Sequence, residues 1–255
     1  MPKSQFFAFI SATSLFLGAT AAQAQSHWRI EEHSSYGPML SVAVEGEITR
    51  ADVQTLLTAI EYGSDVQNRL LVLSSVGGDL RAAIKMGRMI RRHDFDAVIL
   101  PDHRCLSACV FLLAAAVDKN VQGSVGIHRP YFTSGTPNEI GREIRALKAE
   151  AVSYLEEMNL PARLAEDMFS VDPGKVRMLT DRELEDYRLS SKDFVAQESD
   201  THRMMGDLNM SRAAYEAFRA DLNYSCSVFM GRPTRMQECV QEIAQKHGIP
   251  LGASK

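Results

Sequence analysis

What the chain has little of narrows its function first. Its 255 residues carry 28 Lys and Arg against 32 Asp and Glu. With no basic excess to neutralise phosphates, neither nucleic acid nor an anionic membrane surface is expected as a partner. No apolar run approaches the roughly 20 residues of a membrane helix. The run from Phe6 to Leu17 is short and is softened by Ser11, Thr13 and Ser14. There is no Gly-x-x-x-x-Gly-Lys-Ser/Thr stretch to cradle a nucleoside triphosphate. Cysteine is limited to four residues, spaced unlike the Cys-x-x-Cys or Cys/His pairs of a zinc site. No metal and no cofactor are therefore expected.

The N-terminus has the features of an export signal. Lys3 supplies a basic start, Phe6 to Leu17 an apolar run, and Ala22-Gln23-Ala24 a small-x-small cleavage site. Residues 1–24 read as a secretory signal peptide cut after Ala24, the alternative being an uncleaved anchor. The cut removes only Lys3 and leaves a net charge of −5. The mature chain is expected to cross the inner membrane into the periplasm. Export changes what the four cysteines mean, because an even count in an oxidising compartment suggests disulfides. The local pairing is Cys105 with Cys109 and Cys226 with Cys239; four buried thiols are the alternative.

Along the chain, strand, turn and helix signals recur. Met39 to Ile48 alternates apolar and polar residues, a strand pattern. Thr49 can cap a helix that places Val53, Leu56, Leu57 and Ile60 on one face. Leu70 to Leu73 is a short apolar strand, followed by Ser75-Val76-Gly77-Gly78 and a helix capped by Asp79. Phe95 to Leu100, a helix over Ala108 to Val117, and a strand over Val121 to Ile127 repeat the unit. Such alternation implies an α/β fold with parallel strands. Asn138 to Met158 is the longest helical pattern, with Glu143, Lys148 and Glu157 between its apolar positions. Asp172-Pro173-Gly174 breaks the next helix, residues 177–179 are strand-like, and Thr180 with Glu183 has the capping-box spacing. Residues 25–37 are polar and expected to be loosely ordered. Beyond residue 194 the pattern changes to two amphipathic segments, about 210–222 and 234–247, which a Cys226–Cys239 bridge would tie together. The domains are thus read as 25–194 and a helical extension, 195–255.

Three stretches can carry chemistry. Ser107, in Cys105-Leu106-Ser107-Ala108-Cys109, sits at a helix start, where unpartnered N–H groups favour developing negative charge. A serine there is usually only a cap. Gly77-Gly78 lets backbone approach a ligand closely, or simply makes a tight turn. His128 follows a strand, where a structural hydrogen bonder is the commoner role. All three fall at the ends of successive elements, where ligands gather in parallel sheets. The flanking cysteines can clamp the serine turn, pack as small residues, or supply a thiol nucleophile.

These stretches resemble the Clp protease proteolytic subunit, and more closely the secreted Clp-like proteins of the Clp/crotonase superfamily. Ser75-Val76-Gly77-Gly78 is similar to the family's Ser-Pro-Gly-Gly, Ile127-His128-Arg129-Pro130 to its Ile-His-Gln-Pro, and Thr180 to Leu189 to its late Tyr-Gly-Leu segment. The resemblance covers about Met39 to Leu189. It implies a spiral of β-β-α and βα units with a protruding handle helix from Asn138, joined here to the helical extension. It further implies Ser107 as nucleophile, His128 as general base, and the N–H groups of Gly78 and Ala108 as oxyanion hole. The family's acid falls on Val176, which cannot orient a histidine; Asp172 is the nearest substitute, and a Ser–His dyad is what is left otherwise. The implied activity is peptidase or related hydrolysis of a peptide or protein substrate, with no ATPase partner. A decayed, non-catalytic binding protein and an acyl-CoA enzyme of the crotonase type are the competing readings. The apolar face of 138–158 suggests a homo-oligomer.

Overall fold

The alternating and apolar stretches build a sheet, and the capped amphipathic stretches pack around it. The computed structural model describes residues 26–33, 37–191, 193–229 and 232–249, so the expected leader lies outside the described residues. The chain divides into two units, Met1–Ser190 and Ser191–Lys255. The first runs β1 (His27–His33), β2 (Gly37–Ile48), α1 (Arg50–Tyr62), β3 (Asn68–Gly78), α2 (Leu80–Arg92), β4 (Asp96–Ile99) and β5 (Arg104–Leu106). It continues through α3 (Cys109–Ala115), β6 (Lys119–Val121), β7 (Ser124–Ile127), α4 (Pro137–Glu157), α5 (Arg163–Ser170), β8 (Arg177–Met178) and α6 (Asp181–Asp186).

The eight strands form one mixed sheet that forks at β3. Leu70 to Val72 of β3 pair in parallel with β4, which pairs with β6. Farther along, Ser75 pairs with Cys105 of β5, and β5 pairs with β7. The expectation of parallel strands fails at two places: β1 is antiparallel to β2, and β8 to β7. Residues 27–33 are therefore a strand and not the loose segment expected. As an edge strand paired on one side only, β1 leaves Ile30 exposed and shows no clear apolar alternation.

Local chemistry fixes the helix starts. Thr49 caps α1 in a capping box with Asp52. The buried Asp52 carboxylate accepts from the N–H and hydroxyl of both Ser26 and Thr49, which offsets its desolvation. Asp79 caps α2 by accepting from Ala82 N–H at 3.0 Å. All seven residues of α3 are buried, as their uniformly apolar sequence requires.

Helix α4 packs against α2 and α3. Leu147, Ala151, Tyr154 and Leu155 are buried within their own unit, while Ile140 and Ile144 nearer the start of the helix are half-buried. The Tyr154 hydroxyl donates to the Phe111 carbonyl of α3 at 2.7 Å. Gly87 of α2 makes this possible: a Cβ there would lie 1.8 Å from the Tyr154 hydroxyl. Glu143, Glu150 and Glu157, seven residues apart, meet Arg81 and Arg88 of α2 at 2.6, 2.8 and 2.8 Å. Each exposed pair is worth little, but the shared spacing registers α4 along α2. Tyr154→Phe is expected to cost about 1–2 kcal/mol, read as a lower thermal unfolding midpoint; an unchanged midpoint would contradict this role of the hydroxyl.

After β8, Thr180 caps α6 in a capping box with Glu183, whose carboxylate also pairs with Arg177. The Thr180 N–H and the Arg177 guanidinium hold the Glu183 carboxyl down to about 2. A folded value below the unfolded one of about 4.3 makes this stabilisation complete at neutral pH and progressively lost as pH falls towards 2. Urea unfolding at pH 6 and pH 3 should therefore show a smaller acid loss for Glu183→Gln than for the wild type.

The second unit contains α7 (Phe194–Asp207), α8 (Arg212–Cys226), a short 3-10 turn at Ser227–Phe229, and α9 (Pro233–Lys246). Two of these helices follow the expected segments; α7 was not anticipated. The core is small, built on Tyr215, Phe218 and Ala244. The Cys226–Cys239 disulfide ties α8 to α9, and His247 pairs with Asp221 at 2.8 Å.

Candidate active site

The Ser75-Val76-Gly77-Gly78 turn is assembled from β3 outwards. Ser75 is fully buried; its hydroxyl donates to the Gly46 carbonyl at 2.7 Å and accepts from Gly77 N–H at 3.1 Å. The β2–β3 register shifts between Gly46 and Glu47, leaving Val76 without a partner in the ladder. Both glycines are required by their surroundings. Gly77 has φ +99°, and a Cβ there would lie 2.7 Å from Ser107 Cβ and 3.1 Å from Ala108 N. Gly78 has φ +140°, and a Cβ there would lie 2.2 Å from the Ile48 carbonyl oxygen. The turn thus packs directly against the serine turn.

Ser107 follows β5 and precedes α3. Its φ is +54°, a left-handed conformation that is unfavourable for a residue with a Cβ. Its N–H donates to the Gly126 carbonyl at 2.9 Å, and its carbonyl accepts from Val110 N–H at 3.0 Å. Strained backbone of this kind clusters at functional sites. Next in sequence, Ala108 N–H has no hydrogen-bond acceptor among the described residues. The expected disulfide is present: Cys105 and Cys109 bridge across this turn, with Cα atoms 5.2 Å apart. The second expected bridge, Cys226–Cys239, is present as well, and no described cysteine is free.

His128 comes from the end of β7. Its Nδ1 lies 2.9 Å from the Arg129 carbonyl oxygen. A carbonyl only accepts, so Nδ1 carries a proton in this contact, and in the neutral ring the lone pair is then on Nε2. Among the described residues neither Nε2 nor the Ser107 hydroxyl makes a hydrogen bond. Both line one cleft of ≈ 540 Å³ together with Gly78 and Ala108. Catalytic hydrogen bonds are often open in the absence of substrate.

Among the described residues no hydrogen bond joins Asp172 to the histidine. Its side chain is exposed, and Oδ1 accepts from Gly174 N–H at 2.8 Å in a tight local turn. The Nδ1 position expected for an acid is taken by the Arg129 carbonyl, held in place as Arg129 N–H donates to the Val171 carbonyl at 3.2 Å. Val176 lies beside β7, its Cγ1 2.7 Å from where a Gly126 Cβ would be. The structure therefore gathers Ser107, His128, Gly78 and Ala108 and leaves Asp172 out.

Sequence reasoning missed the Arg129 carbonyl, since no side-chain pattern marks a backbone acceptor. It also missed the apolar lining of the cleft, to which Leu80, Phe111 and Met168 contribute together with the loop from Tyr131 to Ser134. Their helical periodicity read only as core. Among the described residues, no cluster of three or more His, Cys, Asp or Glu side chains could hold a metal ion. No described helix is long and apolar enough to cross a membrane. No family model matches the chain, and no curated protein matches it in sequence.

Proposed function

We propose that this chain is a secreted Clp-like serine hydrolase, an ATP-independent peptidase in which Ser107 is acylated and His128 is the general base. One observation carries the reading. A serine held in a left-handed turn shares a cleft with a histidine whose Nδ1 proton is tied to a carbonyl, leaving Nε2 as the free base.

In this mechanism Nε2 takes the Ser107 hydroxyl proton as Oγ attacks the acyl carbon. The oxyanion of the tetrahedral intermediate is received by the N–H groups of Ala108 and Gly78, where electrostatic stabilisation is largest. His128 then returns the proton to the leaving group, and water reverses the sequence to release the acid. The Arg129 carbonyl does the orienting that an acid does in a triad. Lacking a carboxylate's charge, it stabilises the imidazolium less, and loss of the acid in a worked triad lowers turnover by up to ~10⁴. The enzyme is accordingly a slow one.

Other features support the family assignment within this proposal. The sheet forks at β3 and grows by successive strand–helix units, as a Clp/crotonase spiral does. The two disulfides suit the oxidising periplasm, in agreement with a leader over residues 1–24. An open cleft walled by apolar side chains suits a segment of peptide or protein substrate.

A second reading has an observation in its favour. With Val176 at the acid position and the Asp172 carboxylate engaged by Gly174 N–H, the chain would be a Clp-like binding protein that retains the cleft without the chemistry. Hydrolysis of a panel of peptide and ester substrates separates the two. The enzyme reading expects turnover by the wild type and its loss, by about 10³-fold or more, in Ser107→Ala. No turnover of any substrate, with peptide binding unaltered by Ser107→Ala, would establish the binding protein.

A further inference from the structure

The Cys105–Cys109 bridge encloses the serine. Cys105 belongs to β5 and Cys109 opens α3, so the bond closes a ring that contains Leu106, Ser107 and Ala108. At its centre Ser107 holds φ +54°, a conformation disfavoured about tenfold or more for a residue with a Cβ. The hydrogen bonds to Gly126 and Val110 use backbone groups that any residue would offer. Gly77 only makes room for the Ser107 Cβ. The disulfide is the one covalent link that fixes the separation between the end of the strand and the start of the helix, with Cα atoms 5.2 Å apart. Both cysteines are fully buried in the core, so the link is shielded from solvent.

We propose that Cys105 and Cys109 are positioning residues for the nucleophile, and that acylation competence requires their oxidation. The bridge holds Ser107 in its left-handed conformation; with two thiols the turn relaxes and Oγ is no longer held in the cleft it shares with His128, Gly78 and Ala108. This rests on the serine-hydrolase reading above. Oxidation proceeds by thiol–disulfide exchange. The thiolate of one cysteine attacks a disulfide of a donor, giving a mixed disulfide, and the second thiolate displaces the donor. The chain loses two electrons and two protons, and the donor is reduced to its dithiol. A chain still in a reducing compartment is therefore inactive, and activity begins with export.

The test is the rate at which a fluorophosphonate labels Ser107 in the full mature chain. Cys105→Ala/Cys109→Ala is expected to lower the maximal labelling rate about tenfold or more, with the half-saturating probe concentration unchanged. Cys226→Ala/Cys239→Ala, which opens the bridge of the other unit, should label at the wild-type rate. Should the first pair fail to fold, the wild type is unfolded and reduced with dithiothreitol, then refolded first without and then with oxidised glutathione. Its labelling rate should fall and recover in step with the 105–109 bridge, followed by peptide mass. Equal labelling with that bridge open overturns the inference and leaves the hydrolase reading standing. An equal fall in both cysteine pairs also overturns it, as a general loss of fold. No labelling of the oxidised wild type overturns the hydrolase reading and this inference together.

Discussion

Replacing His128 by alanine is expected to lower hydrolysis about 10³–10⁴-fold while leaving the unfolding midpoint nearly unchanged. The imidazole lines an open cleft and, among the described residues, makes a single hydrogen bond, to the adjacent Arg129 carbonyl, so its removal disturbs little packing. Among the residues lining the cleft it is the one imidazole. Glu47 and Asp79 line the same cleft, but Asp79 is occupied as the α2 cap and as the partner of Arg50. Asp172→Asn is the informative companion. Its carboxylate serves a turn with Gly174, so the rate should stay at the wild-type level. A large loss in Asp172→Asn would mean that the acid reaches the histidine in the working enzyme.

The second large effect is on the glycines. Gly78→Ala places a Cβ 2.2 Å from the Ile48 carbonyl oxygen at φ +140°, a conformation closed to L side chains. Neither the ladder nor the turn can move without unseating the serine turn, which Gly77 already touches. We expect a destabilisation above about 4 kcal/mol, in the range of exceptional single substitutions, seen as insoluble or unfolded chain. Gly206→Ala in α7 is the contrast. A Cβ there meets nothing within 4 Å, so a gain of about 0.4–1 kcal/mol is expected. Similar unfolding curves for the two variants would show that the close approach at Gly78 is not needed.

Much of this was legible because it depends on neighbours in sequence. Thr49, Asp79 and Thr180 announce helix starts through side chains that reach their own backbone, and each caps as expected. The two disulfides followed from local spacing once export was assumed. The site's position followed from chemistry-bearing residues at the ends of successive elements. What could not be read depends on distant partners. The fork at β3 is a choice among strands of three or four residues whose sequences do not state it. The α4 glutamates looked like a solvated face until α2 supplied Arg81 and Arg88 at matching spacing. Asp172 differs for another reason. Asp-Pro-Gly is itself a turn signature, and here it engages the carboxylate locally, with Oδ1 accepting from Gly174 N–H.

The central claim is that Ser107 is a nucleophile, and the most direct measurement is to locate the covalent adduct. The oxidised mature chain is treated with a fluorophosphonate, digested, and the modified residue identified by peptide mass. The account predicts one stoichiometric adduct on Ser107, absent in Ser107→Ala and strongly slowed in His128→Ala. An unmodified Ser107, or an adduct on another residue that persists in Ser107→Ala, would contradict it.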